Sequence, residues 1–120
     1  MALKKMLQRL TTPVEELDKE RLVEFVSRIP DVTSIASLAS REEAKVVGEI
    51  QSVRIVPRAG SPSLEATITD GSGTLVAMWT GRRRIAGIAP GKRLVVTGRG
   101  SPTGPGGRLL LFNPRYELLP

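Results

Sequence analysis

The most informative stretch of the sequence is residues 63–80, which read SLEATITDGSGTLVAMWT. Apolar and polar residues alternate over Ser63–Thr69, and a second apolar segment follows over Thr74–Thr80. A period of two is typical of half-buried strands. Between the segments, Asp70–Gly73 supplies the residues of a tight turn. The stretch therefore predicts a β-hairpin, and the side chains expected on its core face are Leu64, Ala66, Ile68, Leu75, Ala77 and Trp79.

Further strands are predicted outside the hairpin, and they are Ala44–Val56, Arg93–Arg99 and Arg108–Asn113. In the first of these, the apolar residues change parity between Ile50 and Val53. Such a change indicates a bulge, which bends a strand so that it can serve two sheets. The segments between strands are rich in glycine, proline and charge. They are expected to be loops, and they are Pro57–Pro62, Gly81–Lys92 and Gly100–Gly107. Gly81–Lys92 is expected to be either a loop or a turn of helix.

Five short strands, with a non-strand insertion between the third and the fourth, predict a mainly β fold over residues 44–120. A five-stranded Greek-key barrel of the OB type has this strand count, a bent first strand and an insertion in this position. Gly48 and Gly98 lie within strands, where barrel curvature or a close backbone approach makes a side chain costly. A small β-sandwich or an SH3-like barrel would show similar periodicity, so both remain open at this point.

An amphipathic helix is predicted ahead of the barrel, within a helical extension and connector that span residues 1–43. Thr12–Pro13 supplies a cap and a first helical residue, and apolar residues then recur at helical spacing until Pro30. The apolar face is expected to pack on the barrel, because helices of this length are usually docked. The alternative is a helix that binds a protein partner or a second copy. Ile35 and Leu38 of the connector are expected to lie under the sheet.

The charge of the chain is unevenly distributed. Its 120 residues carry a net charge of +6, but residues 1–43 sum to −1 and residues 44–120 sum to +7. Nine of the eleven cations in residues 44–120 are arginine. An imbalance of this kind favours a polyanionic partner. An arginine-rich composition without functional meaning would produce it as well.

The sequence contains no cysteine and no histidine. Disulfides, thiolate or imidazole metal ligands, cysteine nucleophiles and the usual general base are therefore excluded. We expect no enzymatic activity, no cofactor and no metal site. No apolar run approaches the ~18 residues that span a bilayer, and the N-terminus lacks the pattern of a secretory signal. We expect a cytoplasmic protein without a membrane partner.

An ordered series of motifs resembles a known group of domains. The motifs are Gly48-x-Ile50, the Asp70–Gly73 turn, Trp79 at the end of the third strand, Pro90-Gly91-Lys92, Gly98 and Asn113-Pro114-Arg115-Tyr116-Glu117. Over residues 35–117 the chain resembles the OB-fold wedge domain of RecG-type DNA helicases and, more broadly, OB-folds of the anticodon-binding kind. Its layout also resembles small stand-alone actinobacterial OB-fold proteins. The resemblance implies an OB fold that binds nucleic acid, and it does not include a helicase motor.

Basic residues are the candidates for contacting nucleic acid. On an OB barrel the ligand groove crosses strands two and three and is framed by the one–two and four–five loops. The candidates flank these segments, and they are Arg54, Arg58, Arg82, Arg83, Arg84, Lys92, Arg93, Arg99 and Arg108. Guanidinium groups suit phosphate because they donate two parallel hydrogen bonds and stay charged. The expected ligand is single-stranded or branched DNA, or RNA, bound without regard to sequence. The alternatives are a solubilising charged surface and a protein-interaction module.

Base stacking is expected to contribute little. Trp79 has the parity of the core residues, and Tyr116 is expected to pack against the barrel. The outward face of the hairpin offers no aromatic ring, since its residues are Glu65, Thr67, Thr69, Val76, Met78 and Thr80. Contacts that follow the phosphate backbone are therefore favoured over stacking.

Overall fold

The computed structural model describes residues 14–39, 41–102 and 107–120. Within these ranges the chain is mainly β, with a helix α1 (Val14–Ser27) and a turn of 3-10 helix at Ile35–Ser37. The strands are β1 (Glu43–Arg58), β2 (Ser61–Thr69), β3 (Thr74–Thr80), β4 (Arg93–Ser101), β5 (Leu109–Phe112) and β6 (Arg115–Leu118). The predicted helix cap at Thr12–Pro13 lies outside the described residues.

The strands form one sheet that closes on itself. Their order is β1-β2-β3-β5-β4-β6, and β1 also pairs with β4. The pairings among the first five strands therefore complete a ring. All paired strands are antiparallel except β3 and β5, which run parallel.

β1 closes the ring because its two halves have different partners. Residues 43–49 pair with β4, and residues 49–58 pair with β2. The register shifts between Ile50 and Ser52. This shift confirms the bulge that the change of parity predicts, and it lets one strand of 16 residues serve both sides of the ring.

Gly48 lies next to this bend, where β2 approaches closely. A β-carbon at this position would come within 2.6 Å of the Ile68 side chain and 2.7 Å of the Thr69 carbonyl oxygen. Real β-carbons do not make contacts this short, so any residue other than glycine would push β1 and β2 apart. The expectation of a close backbone approach at Gly48 is confirmed.

The core fills the interior of the closed sheet. It contains every hairpin side chain that the alternation places inward. The other buried members come from the remaining strands and two connecting segments, and they are Ile35, Val46, Ile50, Ile85, Ile88, Leu94, Val96 and Leu111. Leu38 is half-buried against the same cluster. Ile35 and Leu38 therefore lie under the sheet, as predicted.

Trp79 is a core residue, as its parity predicts. Its indole Nε1 donates a hydrogen bond to the carbonyl oxygen of Pro114 at 3.1 Å, which satisfies the polar atom of the buried ring. The ring of Tyr116 meets it edge to face, with centroids 5.6 Å apart. Both contacts fasten the segment after β5 to β3, and Tyr116 packs on the sheet as predicted.

The first hairpin is longer than the sequence predicts. The predicted loop Pro57–Pro62 is wrong: Pro57 pairs with Pro62, and only Ala59 and Gly60 turn the chain. These two residues have φ values of 51° and 81°, and a two-residue turn of type I′ requires positive φ at both positions. The prolines lie at the last rungs of the ladder rather than in a loop.

β6 has no counterpart among the predicted strands. It pairs with β4 from Leu94 opposite Leu118 to Thr97 opposite Arg115. All four of its residues are exposed. Its alternation of polar and apolar residues covers only four positions directly after a proline, which is too short a signal to separate a strand from a loop. The prediction of five strands is corrected to six within the described residues.

α1 lies beside the turn between β2 and β3. Leu22 is buried, and Val23 is the side chain that a β-carbon at Gly71 would meet. The guanidinium of Arg93 lies over the Phe25 ring, 4.4 Å from its centroid. The helix ends at Ser27, three residues before the predicted stop at Pro30. In the part of the chain that the structure describes, no helix is long and apolar enough to cross a membrane.

Asp70 organises the turn between β2 and β3. Its buried Oδ1 accepts hydrogen bonds from the N–H and hydroxyl of Ser72 and from the N–H of Gly73, at 2.6–3.2 Å. Its Oδ2 accepts the N–H of Ile35 at 2.8 Å. One carboxylate therefore holds both the turn and the connector that leads into β1.

Substituting Gly48→Ala should lower the free energy of unfolding by at least about 2 kcal/mol, because the new β-carbon would meet a backbone carbonyl that cannot turn aside. Urea unfolding followed by the fluorescence of Trp79 measures the change. Gly100→Ala is the matched control, since a β-carbon there would make contacts no closer than 3.5 Å. Equal stability of the two variants would contradict the close approach.

Substituting Asp70→Ala should lower the free energy of unfolding by about 3 kcal/mol, because four donors lose their charged acceptor. Asp18→Ala removes an exposed carboxylate from α1 and serves as the control in the same urea experiment. A loss below about 0.5 kcal/mol, the range of ordinary surface substitutions, would show that the turn forms without this carboxylate.

Candidate nucleic-acid interface

A row of side chains runs across four strands on the outer face of the sheet. Arg54 of β1 pairs with Glu65 of β2. Glu65 also pairs with Met78 of β3, which in turn pairs with Phe112 of β5. Alternation along each strand turns all four side chains away from the core. Arg54, Glu65, Met78 and Phe112 are referred to below as the Phe112 row.

Phe112 supplies an exposed aromatic ring to this row. The residue is 42% exposed, and the guanidinium of Arg58 lies over its ring, 4.8 Å from the centroid. Nη1 of Arg58 also lies 3.2 Å from Sδ of Met78. Because Arg58 comes from the tip of the first hairpin, its side chain spans β2 and β3 to reach the ring.

Phe112 is the candidate residue that the sequence analysis missed. It belongs to β5, and the position of β5 beside β3 is a feature of the folded sheet rather than of the local sequence. A signal was present, because Leu110 and Phe112 alternate with the core-facing Leu109 and Leu111. The Greek-key order of the expected barrel would have placed that outer face next to the hairpin.

Arg99 flanks the Phe112 row on the side opposite to Arg54. Gly100 of β4 pairs with Leu111 of β5, so Arg99 and Phe112 occupy neighbouring positions on adjacent strands. Arg99 is exposed. The aromatic ring therefore has arginines on both sides, contributed by β1 and by β4.

Arg82–Arg84 follow β3 directly at the same end of the sheet. The N–H of Gly81 donates to the carbonyl oxygen of Pro62 at 2.8 Å, and the N–H of Thr80 donates to Oδ1 of Asn113 at 2.9 Å. These bonds hold the start of the segment between the first hairpin and the residue after Phe112. All three arginines are exposed, and within the described ranges none has an ion pair or a hydrogen bond.

Lys92 and Arg93 lie apart from this surface. Arg93 pairs with Glu49 of β1, and Glu49 pairs with Thr69 at the end of β2 that lies away from Arg58. The nine residues of β2 separate the two ends by about 25 Å. The guanidinium of Arg93 lies over Phe25 and 3.4 Å from Oε2 of Glu49. It is therefore engaged in holding α1, and Lys92 precedes it in the chain.

The predicted site residues thus fall into separate groups. The structure brings together six of them around Phe112, and these are Arg54, Arg58, Arg82, Arg83, Arg84 and Arg99. Arg108 is exposed on the outer side of the sheet just before β5, at the end of that strand away from Phe112. Lys92 and Arg93 form the third group, beside the helix.

Part of the outer face is closed to solvent. Val76, Met78 and Leu110 form a second buried cluster there, and Glu65 is 3% exposed. Glu65, Val76 and Met78 thus point away from the core, as the alternation predicts, but they are covered rather than open to solvent. The open part of the face is the end that carries Phe112 and the arginines.

The open surface keeps an excess of positive charge. Oε2 of Glu65 lies 3.5 Å from Nη2 of Arg54, whose side chain is 65% exposed. Glu43 pairs with Arg99 in the ladder, but its carboxylate binds Arg115 at 2.8 Å. Within the described chain, the other five arginines around Phe112 have no carboxylate partner. Their positive charge is free to attract an anion.

A cleft of about 490 Å³ lies elsewhere, between α1 and the β2–β3 turn. Asp18 and Glu49 are among its lining residues, and their negative charge opposes a polyanion. Among the described residues, no group of three side chains is arranged to hold a metal ion. The arginines around Phe112 remain the better candidate for contact with nucleic acid.

The chain has a structural relative among known proteins. No family model matches it, and no curated protein matches its sequence. Its structure is similar to that of RecG bound to a three-way DNA junction, with a TM-score of 0.53 and 20% sequence identity. The similarity covers 76% of this chain and 13% of the RecG chain. The protein thus has a RecG-like fold that corresponds to a small part of that larger protein.

Proposed function

We propose that residues 44–120 form an OB-fold module that binds nucleic acid without catalysing a reaction. The ring order β1-β2-β3-β5-β4, with β3 and β5 parallel, supports this fold because a five-stranded Greek-key barrel has these pairings. β6 then extends the barrel as an added strand beside β4. The structural similarity to RecG supports the same fold.

The observation that carries the proposed function is an exposed aromatic ring with arginines on both sides. Arginine binds phosphate through two parallel hydrogen bonds, and an aromatic ring stacks on any base. A single strand alternates these two elements along its length. The cations around Phe112 would follow the phosphates while the ring holds one base, and Arg82–Arg84 extend the path beyond the end of β3.

The proposed ligand is single-stranded or branched DNA, or RNA. Paired bases inside a duplex hide their faces in the stack, so Phe112 would need an unpaired base. Single strands and branch points provide such bases. RecG, the structural relative, has been seen bound to a three-way DNA junction, and this supports testing branched DNA beside single strands.

A protein-interaction module is the second candidate function. Beyond the bulge, residues 52–58 of β1 pair only with β2 in the described part of the chain. The other edge therefore presents backbone donors and acceptors to which a partner strand could add. Pro57 and the arginine side chains restrict this edge, so we rank the function second.

Replacing Arg82, Arg83 and Arg84 with glutamate should weaken binding to single strands at least tenfold. If the six arginines around Phe112 each contact a phosphate, log affinity should fall against log salt with a slope of about −4. The variant should reduce this slope to about −2, because three contacts are lost. Fluorescence anisotropy of labelled single-stranded, forked and duplex DNA and of RNA, over a salt series, measures both quantities.

The matched control changes three cations to glutamate, namely Lys19 and Arg21 of α1 and Arg28 directly after it. It alters the net charge equally but lies away from the proposed surface. Equal weakening by both variants would mean that the triplet acts only through net charge. An absence of binding by the unaltered protein to every ligand at low salt would refute the proposal and favour the protein-interaction module.

Substituting Phe112→Ala should weaken binding to single strands by a factor of about 5 to 100, the range expected for one lost stacking contact. The salt slope should stay unchanged, because no phosphate contact is removed. Ile55→Ala removes an exposed apolar side chain from β1 and is the control. Phe112 would be excluded as a stacking platform if the variant kept full affinity, or if its loss of affinity came with a changed slope of log affinity against log salt.

A further inference from the structure

Glu65 is a buried carboxylate with one oxygen unused. Its Oε2 faces Arg54, but among residues 14–39, 41–102 and 107–120 its Oε1 has no hydrogen-bond partner. Leaving a buried polar oxygen without a donor opposes folding. A position that retains such an oxygen is suited to receive a donor from a ligand.

Ser63, two residues before Glu65 on β2, also has a buried oxygen without a hydrogen-bond partner among the described residues. The residue is 1% exposed, and its Oγ also lacks a partner within the described chain. Residues two apart on a strand point to the same face, about 7 Å from each other. Glu65, a member of the Phe112 row, and its neighbour Ser63 therefore place two unpartnered oxygens side by side on the outer face.

The side chain of Arg58 covers the approach to these acceptors. Its backbone lies opposite Ser61, and its guanidinium reaches Met78 and the ring of Phe112. Met78 pairs with Glu65 and Ser63 lies between Ser61 and Glu65 on β2, so the path from Arg58 to the ring crosses the part of β2 that carries both oxygens. It has no carboxylate partner within the described residues. Arg58 can therefore leave the ring without breaking an ion pair.

A base that stacks on Phe112 would take the place of the Arg58 guanidinium. The backbones at Phe112 and Glu65 are two strand spacings apart, about 10 Å. Met78 lies between them and offers an apolar surface under the base. Because Glu65 lies on the far side of Met78 from Phe112, a base in this position could turn one edge toward Glu65 and Ser63.

We propose that Glu65 and Ser63 read the edge of this base and select bases that carry an amino group. The inference rests on the proposed function and adds a selectivity to it. An ionised carboxylate only accepts hydrogen bonds. Cytosine, adenine and guanine present amino donors, whereas thymine and uracil present two carbonyl oxygens around a single N–H. The Glu65 carboxylate therefore favours the amino bases and repels the carbonyl edge of thymine, whereas the Ser63 hydroxyl both donates and accepts and supports either edge.

The test compares labelled oligo(dC) with oligo(dT) of about 12 nucleotides by fluorescence anisotropy. Both are pyrimidines of the same ring size, so the ratio of affinities isolates the edge of the base. The unaltered protein should bind oligo(dC) about tenfold more tightly. Glu65→Gln, whose amide both donates and accepts, should lose most of this preference and keep the salt slope.

Glu117→Gln is the control, because it neutralises an exposed carboxylate on β6, and it should keep the tenfold ratio. Equal affinity of the unaltered protein for both oligonucleotides, or an unchanged ratio in Glu65→Gln, would overturn the inference. Failure to bind either one would instead refute the proposed function. If Glu65→Gln does not fold, Glu65→Met carries the test, since it removes both carboxylate oxygens without adding a buried polar group and should also lose the preference.

Discussion

The close approach of the β2 backbone to Gly48 is the constraint on which the rest of the structure depends. Only glycine allows β1 to bend there, and the bend lets one half of β1 reach β4 while the other half reaches β2. Closure of the ring follows from these two pairings. With the ring closed, β5 lies between β3 and β4, and Phe112 comes to lie beside Met78.

The Phe112 row also depends on the register of the four strands that contribute to it, namely β1, β2, β3 and β5. Each of its four side chains comes from a different strand, and a slip of one residue in any pairing would turn that side chain into the core. The core prevents such slips, because inward and outward positions alternate without exchange along β2 and β3. Packing inside the sheet therefore determines which cations and which ring meet outside it.

The elements that local signals specify are the ones that the sequence predicted well. The bounds of β3, the core face of the hairpin and the turn at Asp70 agree with the prediction, since alternation and turn chemistry act over a few residues. The tip of the first hairpin was missed because its prolines resemble a loop, and β6 because its alternation covers only four residues directly after a proline. Phe112 was missed since its neighbours belong to distant parts of the chain. Arg93 was wrongly grouped with the other arginines for the same reason, since its neighbours Glu49 and Phe25 also belong to distant parts of the chain.

In the free protein, the face of the Phe112 ring is already occupied by the guanidinium of Arg58. Under the proposed function, association with a base at this position would be an exchange rather than an addition, and its free energy would be the difference between two stacking contacts. The displaced guanidinium would become mobile where the phosphate next to that base lies. Occupation of the ring and contact with the adjacent phosphate would then be coupled through one side chain.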